Sequence, residues 1–151
     1  MCVNKIGVVL IGLTLFLVAF GCVNLNDAGN GELDSSQNNK IVVAFYDAVK
    51  TKDYDSITAY RSEIFLETYP PANMNGYLVF VNTKLGDFQS YKVINSQVRN
   101  ITNLDGHKSI TTILTIDTVY AKGSAVETIT TTTWSGDEEL DNWSITSTGL
   151  V

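Results

Sequence analysis

Hydrophobic and polar positions divide the chain into four stretches. Ile6 to Phe20 is a nearly unbroken apolar run behind a short start carrying Lys5. Val23 to Asn39 is polar, rich in Asn, Asp, Gly and Ser. From Ile41 the apolar residues recur every three or four positions. Val42, Phe45, Tyr46 and Val49 share one stripe, which predicts an amphipathic helix. Asn38 or Asn39 is placed to cap its start, and Lys50-Thr51-Lys52 marks its end. Asp53 or Asp55 can cap a second helix, with Ile57, Tyr60, Ile64 and Phe65 facing inward. Pro70-Pro71 closes that segment, because proline disfavours helix at the residue before it. Met74 to Leu85 predicts a third helix with Tyr77, Phe80, Val81 and Lys84 on one face, terminated at Gly86.

Beyond Gly86 the pattern changes period. Thr, Val, Ile and aromatic residues dominate and proline is absent, which predicts four strands. The first covers Tyr91 to Ile101, followed by a turn at Asn103-Leu104-Asp105-Gly106. The second covers Lys108 to Tyr120, with Ile110, Thr112, Leu114 and Ile116 on one face. Lys122-Gly123-Ser124 leads into the third, Ala125 to Trp134. Ser135 to Asp141 reads as an acidic turn, and Trp143 to Thr148 as the fourth strand. Consecutive strands with short turns predict an antiparallel meander. The many threonines suit a sheet with one wet face. The fold class is α+β.

The apolar run at the N-terminus is too short for a membrane span. Ile6–Gly21 has 16 residues, and a transmembrane helix needs about 20. A charged start, an apolar run and a small residue before a cut site predict a cleaved signal, residues 1–21. Val18-Ala19-Phe20-Gly21-Cys22 resembles the lipobox of bacterial lipoproteins. That resemblance implies an acylated Cys22 (palmitate and related chains), a bacterial cell-envelope location and attachment to a membrane through the lipid. Val23, in place of aspartate after the cysteine, implies the outer membrane if the source is Gram-negative. Residues 22–39 then form a flexible tether, since they hold too little apolar surface to offset their ordering entropy. The folded domain is 40–151.

Charge and cysteine content remove several function classes. The net charge of −6 becomes −7 when Lys5 leaves with the signal. No basic cluster exists to neutralise phosphates, so nucleic acid is not an expected partner. Cys2 also leaves with the signal and Cys22 carries lipid, so no thiol remains for a disulfide, a metal or a nucleophile. His107 is the one histidine, it follows Asp105-Gly106 in a turn, and no metal site is predicted. Asp137-Glu138-Glu139 with Asp141 lacks the spacing of a calcium loop. No cofactor motif is present.

A family resemblance covers Ile41 to Leu150. Val43-Ala44-Phe45-Tyr46-Asp47-Ala48-Val49 with Lys52-Asp53-Tyr54-Asp55-Ser56-Ile57 looks like the opening helix pair of the nuclear transport factor 2-like superfamily, also called ketosteroid-isomerase-like. Leu85-Gly86-Asp87-Phe88-Gln89-Ser90-Tyr91 looks like its approach to the sheet, and Glu127 and Trp143-Ser144-Ile145 look like positions in small exported members. The resemblance implies three N-terminal helices packed on a curved four-stranded antiparallel sheet, a cone with a pocket at its open end. It also implies that a homodimer with facing sheets is one permitted assembly. It sets no function, because the fold hosts isomerases, dehydratases and binding modules alike.

Candidate chemistry centres on an acid and tyrosines. The superfamily's isomerases use an acidic base with a tyrosine and a protonated acid as oxyanion donors. Tyr46, Tyr60, Tyr77, Tyr120, Asp117 and Glu127 are residues of those types, in no pattern that transfers a role. Glu127 shares a strand face with Ala125 and Ile129, so it is the expected buried acid, with a salt bridge or backbone hydrogen bond as its expected partner. Trp134 and Trp143 flank the last turn and either pair across it or line the cone's mouth for an apolar or sugar-like ligand. The candidate pocket is therefore Tyr46, Tyr60, Glu127 and Trp143. The first expectation is a non-catalytic binding module for a protein or small molecule. The second is a small isomerase or dehydratase using Glu127 and a tyrosine.

Overall fold

The three-to-four spacing after Ile41 does form a helix. The structure, a computed structural model, describes residues 39–102 and 107–151. The signal, Cys22, the tether up to residue 38 and the turn Asn103–Gly106 lie outside the described residues. Helix α1 spans Lys40–Thr51 and buries Ile41, Val42, Phe45, Tyr46, Ala48 and Val49. Asn39 caps it, its Oδ1 accepting from the Ile41 and Val42 amides at 2.9 and 3.1 Å. That serves two of the four N–H groups that a helix start leaves without partners. The other end of the same amide donates from Nδ2 to Glu138 Oε1 at 2.6 Å.

The second predicted helix is two pieces. A 3₁₀ helix covers Tyr54–Tyr60 and α2 covers Glu63–Thr68. Between them Arg61-Ser62 is extended and bridges Leu140, the Ser62 amide donating to the Leu140 carbonyl at 3.0 Å. Ser62 Oγ then accepts from the Phe65 amide at 3.2 Å and starts α2 afresh. The restart changes which side chains face inward. Ile57 and Phe65 are buried and Tyr60 is half-buried, while Ile64 is 73% exposed. Helix α3 covers Pro71–Leu85, beginning earlier than predicted because proline suits a first helical turn. Its buried face is Met74, Leu78, Val81 and Leu85, and Tyr77 and Phe80 are displaced to the surface. Leu78 to Val81 is apolar throughout, so spacing alone does not choose the face; the aliphatic side chains take the core. Gly86 ends the helix at φ 80, where an added Cβ would sit 3.0 Å from that of Ala121.

The sheet is the predicted meander. Strands β1 (Phe88–Thr102), β2 (Lys108–Tyr120), β3 (Gly123–Trp134) and β4 (Asp137–Thr146) are antiparallel neighbours in chain order, curved and not closed. The helices before this sheet complete an α+β, cone-like fold. The predicted acidic turn shrinks to Ser135-Gly136, at φ 51 and 102, and Asp137 to Asp141 belong to β4. Positive φ at both central residues matches the twist of a two-residue hairpin. The inward face carries Val93, then Leu114, Ile116 and Tyr120, then Ala125, Glu127 and Ile129, then Leu140 and Trp143. Leu140 and Trp143 are an odd three residues apart, yet both are buried. A register shift opposite Thr130 and Thr131 leaves Asp141 without a partner, and that bulge turns Trp143 to the core. Trp134 pairs with Asp137 and stays 39% exposed, so the two tryptophans do not form the expected cross-hairpin pair. Among the described residues no helix is long and apolar enough to cross a membrane.

Candidate functional site

Alternation on β3 sends Ala125, Glu127 and Ile129 to one face, and Glu127 is fully buried there. Alternation on β2 sends Tyr120 to the same face as Leu114 and Ile116. Tyr46 arrives from α1 and Trp143 from the bulged part of β4. All three donate to the one carboxylate. Trp143 Nε1–H reaches Oε2 at 2.7 Å, Tyr120 O–H reaches Oε1 at 2.8 Å and Tyr46 O–H reaches Oε2 at 3.2 Å. Among the described residues no salt bridge or backbone bond of the expected kind holds Glu127; three side-chain donors do.

The electrostatics follow from burial without a counter-charge. Among the described residues no cationic side chain pairs with Glu127; the ion pair there is Lys52 Nζ with Asp87 Oδ1 at 2.9 Å, on the surface. Burial raises the Glu127 pKa, opposed chiefly by the hydrogen bonds from Trp143 and Tyr120, which favour the carboxylate. Burial followed by the nearby Glu127 charge raises the Tyr46 and Tyr120 pKa values well out of reach of physiological pH, so both phenols remain donors. Aromatic rings seal the cluster. Tyr46 stacks on Tyr91 at 4.3 Å and on Phe88 at 5.0 Å between centroids, and Phe45 lies 5.6 Å from Trp143.

Beside this cluster, and separate from it, is a cavity of about 370 Å³. Phe65, Tyr69, Met74, Tyr77, Trp143 and Ile145 give it an apolar wall, with Asn73 and Ser144 as its polar groups. Tyr77 meets Trp143 edge-on at 5.7 Å. Trp143 is the one residue shared by the cavity wall and the Glu127 cluster. Of the four residues predicted for the pocket, Tyr46, Glu127 and Trp143 come together and Tyr60 does not join them. Tyr60 packs half-buried against the edge of the core. Asp117 and His107 are exposed, as their strand face and turn position predict. Among the described residues no group of three acidic, histidine or cysteine side chains could hold a metal.

Two features fall outside the four-residue pocket predicted above. Tyr120 as a donor to Glu127 was legible from parity, since it shares its face with Leu114 and Ile116 on an unbulged strand. Arg61 carries no such signal. It is 5% exposed, its Nη2 donates to Asn75 Oδ1 at 3.4 Å, and Asn75 passes the polarity on to Asp55 at 2.6 Å. Among the described residues its Nε and Nη1 have no hydrogen-bond partner, and burial lowers its pKa.

No protein-family model matches this chain, and no curated protein matches it. Among solved structures, the chain is similar to Bd1075 of Bdellovibrio bacteriovorus at 14% identity and a TM-score of 0.42. The alignment covers 80% of this chain and 44% of that one, so this chain spans less than half of its length.

Proposed function

We propose that the protein is a lipid-anchored component of the bacterial cell envelope whose domain, of the nuclear transport factor 2-like kind, binds a ligand without transforming it. The lipobox-like sequence ending at Cys22 supports the anchor, and the order of helices and strands supports the family. One observation carries the choice of binding over chemistry. Glu127, the residue an acid-base enzyme of this shape would use, is fully buried, both its oxygens accept hydrogen bonds, and it does not line the cavity. A general base must reach the proton it removes. The cavity, in contrast, offers aromatic and aliphatic walls with two neutral polar side chains, as sites for apolar or ring-shaped ligands commonly do.

Two measurements test this reading. Cells grown with an alkyne-tagged palmitate should label the wild-type chain and leave Cys22→Ala unlabelled; equal labelling, or none in either, would remove the anchor. The uncharged fluorescent probe N-phenylnaphthylamine should bind the domain in the cavity. Tyr77→Ala alters a side chain 42% exposed on the cavity wall, so the melting temperature should hold while probe affinity drops severalfold. Probe binding that is indifferent to Tyr77 would place the ligand elsewhere.

A further inference from the structure

The sheet face turned away from the core carries a cleft at the end where β1 and β3 finish. Strand pairing puts Ile101, Ser109 and Trp134 in one row across β1, β2 and β3. Thr111, Thr132 and Glu139 form the next row, across β2, β3 and β4. Leu114 points into the core, so Ser109 and Thr111, at odd spacings from it, point the other way. Asp141 follows on β4, and the bridge from Arg61 to Leu140 lays Ser62, Glu63 and Ile64 along that edge. The cleft among these side chains holds about 410 Å³.

Its β4 edge is acidic and unmatched. Glu139 and Asp141 are half-buried, with Glu63 beside them. Among the described residues none of these carboxylates pairs with a cation or accepts a hydrogen bond. They do not form a group that could hold a metal ion, so the cation that suits them is organic. The β2 side supplies an independent sign of a ligand. Ser109 is 3% exposed and lines the cleft, yet its hydroxyl has no hydrogen-bond partner among the described residues. A hydroxyl that deep is normally bonded. Two strand spacings, about 10 Å, separate the backbones of Ser109 and Glu139. Once both side chains have reached inward, the remaining gap fits a lysine stem of about four carbons. Arg99, opposite Thr111, disfavours a second positive charge near Ser109.

We propose that this cleft binds a lysine side chain presented by a peptide. The ammonium lies between Glu139 and Asp141, the methylene stem crosses Thr132 beside the Trp134 ring, and a neutral backbone amide bonds the Ser109 hydroxyl. Trp134 gives the stem an apolar wall and the cation a ring face. The site is on the other face of the sheet from the cavity walled by Trp143, so it stands apart from the ligand proposed there.

The test titrates the nitrogen-15-labelled full chain, in zwitterionic detergent micelles, with Nα-acetyl-lysine amide. The backbone resonances of Thr111, Thr132 and Glu139 should move and saturate, while those of Tyr77 and Ile145 beside the other cavity stay in place. Nα-acetyl-norleucine amide keeps the stem without the charge and should move none of them. Asp141→Asn and Ser109→Ala should each weaken binding severalfold at an unchanged melting temperature. Asp117→Asn removes an exposed acid farther along β2 and should leave the affinity as it was. If Asp141→Asn lowers the melting temperature, Glu139→Gln carries the same comparison. Equal weakening by Asp117→Asn and Asp141→Asn would assign the effect to the overall negative charge and overturn the site. Full affinity in Ser109→Ala, or equal binding of the norleucine probe, would overturn it too. Shifts produced by free lysine with the blocked probe silent would assign the cleft to a free diamino acid and overturn the peptide reading.

Discussion

Glu127→Ala is expected to cost the domain on the order of 4 kcal/mol, because three buried donors lose their shared acceptor and each orphaned donor costs about 1–3 kcal/mol. Domains of this size are stable by only about 5–15 kcal/mol, so much of the protein should be unfolded in mild denaturant. Glu127→Gln should behave quite differently. Its carbonyl oxygen can keep the bonds from Trp143 and Tyr46, and its amide can donate to Tyr120 once that hydroxyl turns to accept. It also removes a buried charge that no cation offsets. The glutamine chain should therefore equal or exceed the wild type at neutral pH.

The pH dependence has a definite sign. Burial raises the folded-state pKa of Glu127 above the unfolded value of about 4.3. The folded state then holds the proton more tightly than the unfolded state. The stabilising contribution is complete below the unfolded value and is lost as pH rises through the raised folded value. Urea titrations at a series of pH values should show the wild type losing ground to Glu127→Gln as pH rises. A wild type that gains on the glutamine chain would mean the three donors hold the carboxylate charged against its burial.

Phe45→Ala is the second large effect. Phe45 is 2% exposed, edge-on to Tyr46 at 5.2 Å and 5.6 Å from Trp143. Truncating a buried phenylalanine typically costs about 3–5 kcal/mol through lost transfer energy and the void left behind. The void here lies against the tryptophan that walls the cavity and holds Glu127. Near-UV dichroism from Trp143 should weaken under conditions where far-UV dichroism still reports a folded chain. Phe45→Leu should restore most of the stability. A loss below about 1 kcal/mol for the alanine chain would show that α1 is not packed on the sheet as described.

How much of this was legible in the sequence depends on the period of each element. The α1 stripe and the alternation on β2 and β3 are regular, so Tyr46, Tyr120 and Glu127 could be placed on inward faces by counting. Trp143 could not, because a one-residue bulge at Asp141 reverses the parity of β4. The split at Arg61-Ser62 was hidden as well. Its cause is pairing with Leu140, a contact about eighty positions away that local propensity does not contain. Tyr77 and Phe80 belong to the unbroken apolar run Tyr77 to Val81, where the choice of face is made by what packs against it. The cavity draws on Phe65, Tyr69, Met74, Tyr77 and Trp143 from separate elements, so it exists only once those elements have met.

The double use of Asn39 has a mechanical meaning. Its side chain grips two amides of α1 with one atom and Glu138 with another, and Glu138 in turn accepts from Thr131 on β3 at 2.8 Å. A pull on the chain ahead of Asn39 is thus shared at once among a helix and two strands. Force arriving through the backbone at Asn39 would load the domain across several hydrogen bonds together, and would not peel α1 away one turn at a time.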